Sequence, residues 1–85
     1  MASLREKFGN RLKAIRLSRK MSQEDFAELL DISVDFLSLI ERGINAPSFE
    51  NLEVFAVQLR VPVSDLFMFD NATPVESRQA AAEQG

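Results

Sequence analysis

A chain of 85 residues, 46% apolar and 27% charged, has the composition of one globular domain, and its length excludes a large multidomain enzyme. Cysteine and histidine are both absent, which removes disulfides, thiolate metal sites, cysteine nucleophiles, the commonest metal ligand and the usual general base near neutral pH. The net charge of −3 is unevenly spread: residues 1–20 carry seven Lys/Arg against Glu6 alone, and the remainder is acidic, so phosphate is attracted only at particular surfaces.

Apolar residues recur at helical spacing along the chain, and no segment alternates as a strand does. Leu4, Phe8, Leu12 and Ile15 form one stripe of a first helix whose other faces are basic. This opening lacks the apolar core of a signal peptide, and no run is long enough to span a membrane, so a cytoplasmic protein is expected. Ser22 caps a second helix, with Gln23, Glu24 and Asp25 in its first turn and Met21 and Phe26 at hydrophobic-staple positions. It runs to about Leu30. After Asp31 and Ile32, Ser33 caps a third helix, from about Val34 to Arg42, which stops at Gly43. A short loop through Pro47 leads to Ser48, the cap of a fourth helix with a Leu52, Phe55, Ala56, Leu59 stripe. Pro62 breaks the chain, and Ser64 opens a short last helix containing Leu66 and Phe67. From Asp70 the sequence is polar, so a domain over residues 1–69 and a tail over 70–85 are expected. Two short helices joined by a three-residue turn cross steeply, the arrangement of a helix-turn-helix over about residues 23–42.

The ordered signals from Phe8 to Phe67 resemble the Cro/phage-repressor type of helix-turn-helix domain, the XRE family. They are an Arg-Leu-Lys-x-Ile-Arg first helix, Ser-Gln-Glu opening the second, Ala27 within it, Ile-Ser at the turn, Ile-Glu-Arg-Gly closing the third and Pro-Ser opening the fourth. Small phage and plasmid repressors and restriction–modification controller proteins belong to this group. The resemblance implies an all-α, compact five-helix lambda-repressor-like fold. Two positions depart from the pattern, Asp31 at the turn and Lys20 before the second helix, where the family often has Gly. Asp tolerates the left-handed backbone better than most residues.

The resemblance also implies a site. The third helix would enter the major groove of double-stranded DNA. Its base-reading positions fall on Val34, Asp35, Ser38 and Leu39, with Phe36 beside them. This set lacks Arg, Lys, Asn and Gln, the bidentate readers of guanine and adenine. Val34 and Leu39 suit thymine methyls, Asp35 suits the cytosine amino group, and Ser38 donates or accepts. Phosphate contacts fall on Gln23, Arg42 and Asn45, with Arg11, Arg19 and Lys20 as further cations. Arg16 and Glu41 match a pair that joins the first helix to the third. One such domain buries too little DNA surface for tight binding, so a homodimer on a palindrome is expected. Phe55, Val63, Leu66, Phe67, Met68 and Phe69 are the candidate dimer surface.

The leading expectation is a sequence-specific, dimeric transcription regulator without metal or cofactor. The alternative is a protein-interaction module of the same fold, such as an antitoxin, with a protein partner on the apolar Val34, Phe36 and Leu39 of the third helix. An enzyme has no support: the carboxylates sit at helix starts, where capping accounts for them.

Overall fold

The computed structural model describes residues 2–69; the tail expected over 70–85 lies outside them. Four α-helices are followed by a 3-10 helix: α1 (Leu4–Ser18), α2 (Gln23–Leu30), α3 (Val34–Glu41), α4 (Phe49–Leu59), then Val63–Phe67. The fifth element therefore differs from the α-helix expected. Pro62 rather than Ser64 precedes its first residue, and no side chain caps it. The element is five residues long behind a proline, a length at which 3-10 turns are common.

Every α-helix starts the same way. Ser3, Ser22, Ser33 and Ser48 each have extended backbone, and each hydroxyl accepts the amide three residues on. Glu6 and Asn51 reach back to the amides of Ser3 and Ser48, completing two capping boxes. Every α-helix also ends the same way. A left-handed residue follows it, at Lys20, Asp31, Gly43 and Arg60. The next amide donates five residues back: Met21 to Arg16, Ile32 to Ala27, Ile44 to Leu39, Val61 to Ala56. This is the Schellman stop, with an apolar residue after the left-handed one. Only one of the four left-handed positions is Gly.

The core comprises Phe8, Leu12, Ile15, Phe26, Ala27, Leu30, Leu37, Ile40, Phe55, Leu59 and Leu66. Met21, Ile32 and Val61, three of the residues after the stops, pack against it. Leu4, expected on the buried stripe of α1, is 63% exposed, because the helix overhangs the core at its first residue. α1 packs on α3 and the 3-10 helix, α2 on α3 and α4, and α4 on the 3-10 helix. α1 and α3 approach so closely that a Cβ on Gly9 would overlap the carbonyl of Ile40.

Candidate nucleic-acid interface

α3 turns Leu37 and Ile40 fully into the core, and Glu41 is buried with them. Val34 and Asp35 at its first turn are exposed, Ser38 and Leu39 are half-buried, and Arg42 just past its end is exposed. Phe36 is not part of this free face: it is half-buried and packs against the core. The outward surface is thus Val34, Asp35 and Ser38, with an edge of Leu39.

A buried network sets the pose of α3. The Arg16 guanidinium donates through Nε to Glu41 Oε2 at 2.8 Å and through Nη2 to Oε1 at 3.1 Å. Its Nη1 donates to the carbonyl of Met21 at 3.0 Å. Gln23 Nε2 donates to Glu41 Oε1 at 3.0 Å. α1, the opening of α2 and the end of α3 therefore meet at one carboxylate. The planar fork of Arg suits this bidentate grip, and a buried pair so bonded defines geometry more than it adds net stability.

The network also fixes Gln23 beside the amides that open α2. These lack helical acceptors and, with the helix dipole, favour an anion. Arg42 follows Glu41 directly at the end of α3, and its side chain is exposed. Asn45 is exposed in the next loop, its amide held by the carbonyl of Leu39 at 3.2 Å. Lys20 is exposed at the stop of α1. On the other flank Glu24, Glu28 and Asp31 line a depression between α2 and the start of α3, which makes that side acidic.

Two of the expected phosphate contacts point elsewhere. Arg11 Nε donates to the carbonyl of Asp65 at 2.8 Å, and Arg19 Nη2 to the carbonyl of Leu59 at 2.7 Å. Both side chains cap backbone on the α4 and 3-10 side. Two of the expected dimer residues are also displaced: Phe55 and Leu66 are fully buried and cannot touch a partner. Val63, Phe67 and Met68 are exposed, at 41%, 37% and 60%, and Phe69 is half-buried. The Phe67 ring lies 5.2 Å from Phe8 and 6.1 Å from Phe69.

The most exposed large apolar side chain among the described residues was not singled out from the sequence. Phe49, the first residue of α4, is 83% exposed. Its place three before Leu52 reads as core, but at the first helical position no element covers it. A group of three or more potential metal ligands does not occur among the described residues, and no described helix is long and apolar enough to cross a membrane.

Residues 12–66 match the family described as Helix-turn-helix, and the chain belongs to that family. It is 37% identical over 68 residues to the control protein C.MunI of Mycoplasma sp, a match spanning 79% of this chain and 92% of that protein. It is 35% identical over 78 residues to the control protein C.BamHI of Bacillus amyloliquefaciens, spanning 91% and 96%. Among solved structures it resembles the restriction-modification controller protein C.Esp1396I, a tetramer in complex with its natural 35 base-pair operator. The TM-score is 0.67 at 30% identity, covering 79% of this chain and 88% of that one.

Proposed function

We propose that this protein is a sequence-specific regulator of transcription that binds double-stranded DNA as a homodimer on a palindromic operator. In this reading α2 and α3 are the helix-turn-helix, and α3 lies in the major groove. The observation that carries the reading is the juxtaposition of the free face of α3 with Gln23 and Arg42. A groove reader needs base-facing side chains flanked by phosphate anchors on one surface. The operator complex of C.Esp1396I supports the same reading by likeness. Regulation, rather than catalysis, and a cytoplasmic site of action follow.

Val34 and Leu39 contact thymine methyls, Asp35 accepts from a cytosine amino group, and Ser38 supplies a permissive hydroxyl. Phe36 supports this face from the core side. Gln23 and the opening amides of α2 hold one phosphate, and Arg42 with Asn45 holds another. Residues 1–69 act as the DNA-binding unit. Selection of bound duplexes from a random pool tests the reading. An enriched palindrome is expected at low and at physiological salt. A folded dimer that enriches no sequence at either salt rules it out, and would turn the face of α3 toward a protein partner.

A further inference from the structure

Leu4 of α1, Phe49 of α4 and Phe67 of the 3-10 helix line one apolar groove, with the more buried Phe8 and Leu52. Two polar side chains line it as well: Arg5 of α1 and Asn45 of the loop after α3, both exposed. Neither side chain makes a hydrogen bond or ion pair among the described residues. No described carboxylate lines the groove, although the chain as a whole carries a net charge of −3. Its volume is about 240 Å³. That lies between the roughly 150 Å³ cavity that takes one benzene and the roughly 300 Å³ at which drug-sized sites begin. Nine described residues line it, whereas a standard protein interface draws on about 20–30 residues a side. Size therefore suits a small molecule, and charge suits an anion.

We propose that this groove binds a small amphipathic anion, one aromatic ring or short apolar chain that ends in a carboxylate. The apolar body packs on Phe49 and Phe67, whose rings favour offset or edge-on contact with another ring. It covers Leu4 and Phe49, which are otherwise 63% and 83% exposed. The carboxylate meets the planar fork of Arg5, which binds it through two parallel bonds, and the Asn45 amide is a further donor. A neutral apolar molecule would leave both donors unused. Occupancy also reaches the DNA surface, and this part of the inference rests on the reading above, in which Asn45 shares a phosphate with Arg42. An Asn45 side chain engaged by the carboxylate is withdrawn from that phosphate. The ligand therefore lowers duplex affinity, and by linkage the duplex lowers ligand affinity by the same factor.

The test is an NMR titration of the full chain, labelled with nitrogen-15, with 4-phenylbutyrate and, in parallel, its neutral analogue 4-phenylbutan-1-ol. The amides of Leu4, Arg5, Asn45 and Phe49 are expected to shift and saturate. That of Val57, which is 72% exposed on α4 outside the groove, is expected to stay in place. A dissociation constant on the order of 1 mM is expected for so small a ligand. The carboxylate should bind about threefold or more tighter than the alcohol, as an exposed charge pair allows. Arg5→Ala, at an exposed helical position that suits Ala, keeps the fold and removes that preference. Phe49→Asp weakens both ligands. On a selected duplex, 4-phenylbutyrate should lower affinity about twofold or more against sodium chloride at equal concentration, and should do so less in Arg5→Ala. No saturable shift in the groove overturns the proposal, as does equal binding of acid and alcohol by the wild type. Binding that fades as the protein is concentrated shows a second copy covering the groove and overturns it too. Saturable binding that leaves duplex affinity unchanged overturns the link through Asn45. A chain that selects no duplex, yet binds the acid through Arg5, leaves this site standing and removes only the DNA reading.

Discussion

Arg60 is held at φ 60°, a backbone conformation that costs an L residue with a Cβ about 1–2 kcal/mol. Its side chain is exposed and makes no hydrogen bond among the described residues. Arg60→Gly should relieve that strain and lose about 0.4–1 kcal/mol to the freer unfolded chain. The net gain is about 0.5–1 kcal/mol, seen as a melting temperature raised by about 3–6 °C. No gain would mean that the strain is already relaxed. Asp31 and Lys20, where the resemblance expects Gly, adopt the left-handed backbone that Gly would have served. Arg60 is the same substitution of a side-chain residue for Gly, unheralded by any motif. On the DNA face, Arg42 and Asp35 separate two roles. Arg42→Ala should weaken binding to all duplexes alike, because a phosphate contact carries no sequence information. Asp35→Ala should change the preferred base at one position, by about 1–3 kcal/mol of discrimination. Measured affinities across a set of single-base operator variants distinguish the two, and a uniform loss from Asp35→Ala would refute base reading there.

Between elements, Gly9 makes the contact of α1 with α3 a close one. Gly9→Ala drives a Cβ into backbone, which cannot swing aside as a side chain can. A loss of about 1–3 kcal/mol is expected from such overpacking, more if α3 stays rigid. Denaturant titration checks it, and DNA affinity should fall further than the stability loss alone explains, because α3 is the element displaced. The sequence shows much at this scale. Serine caps, apolar stripes and stops are local chemistry, and three of the four serine caps were legible from Ser22, Ser33 and Ser48. Gly9 was not, since nothing beside it in the chain signals that another backbone passes there. The destinations of Arg11 and Arg19 were hidden for a different reason. A long cationic side chain serves solvent, phosphate or a helix-end carbonyl equally well, and only the placement of Leu59 and Asp65 decides. Phe55 and Leu66 were misjudged because the apolar cluster near the chain end is shared between the core and the surface, and spacing alone does not divide it.

For the whole molecule, the loss of Arg11 and Arg19 from the phosphate set lowers the expected sensitivity to salt. If Arg42 and Lys20 each neutralise one phosphate, a dimer releases few counterions. The slope of log affinity against log salt should then be about −4, well short of what a basic domain of this fold would give. Binding measured at several salt concentrations checks this, and a slope twice as steep would return α1's arginines to the DNA. In the dimeric reading proposed above, such a protein would hold weakly to random sequence and depend on two correctly spaced half-sites. The repeated left-handed stop has a counterpart consequence. It ends each helix through backbone bonds alone, and the pose of α3 is held by Arg16, Glu41 and Gln23. Val34, Asp35 and Ser38 take no part in either device. Under the proposed reading, retargeting the domain to a new operator takes substitutions at these three side chains and at the edge of Leu39, and the scaffold that presents them stays as it is.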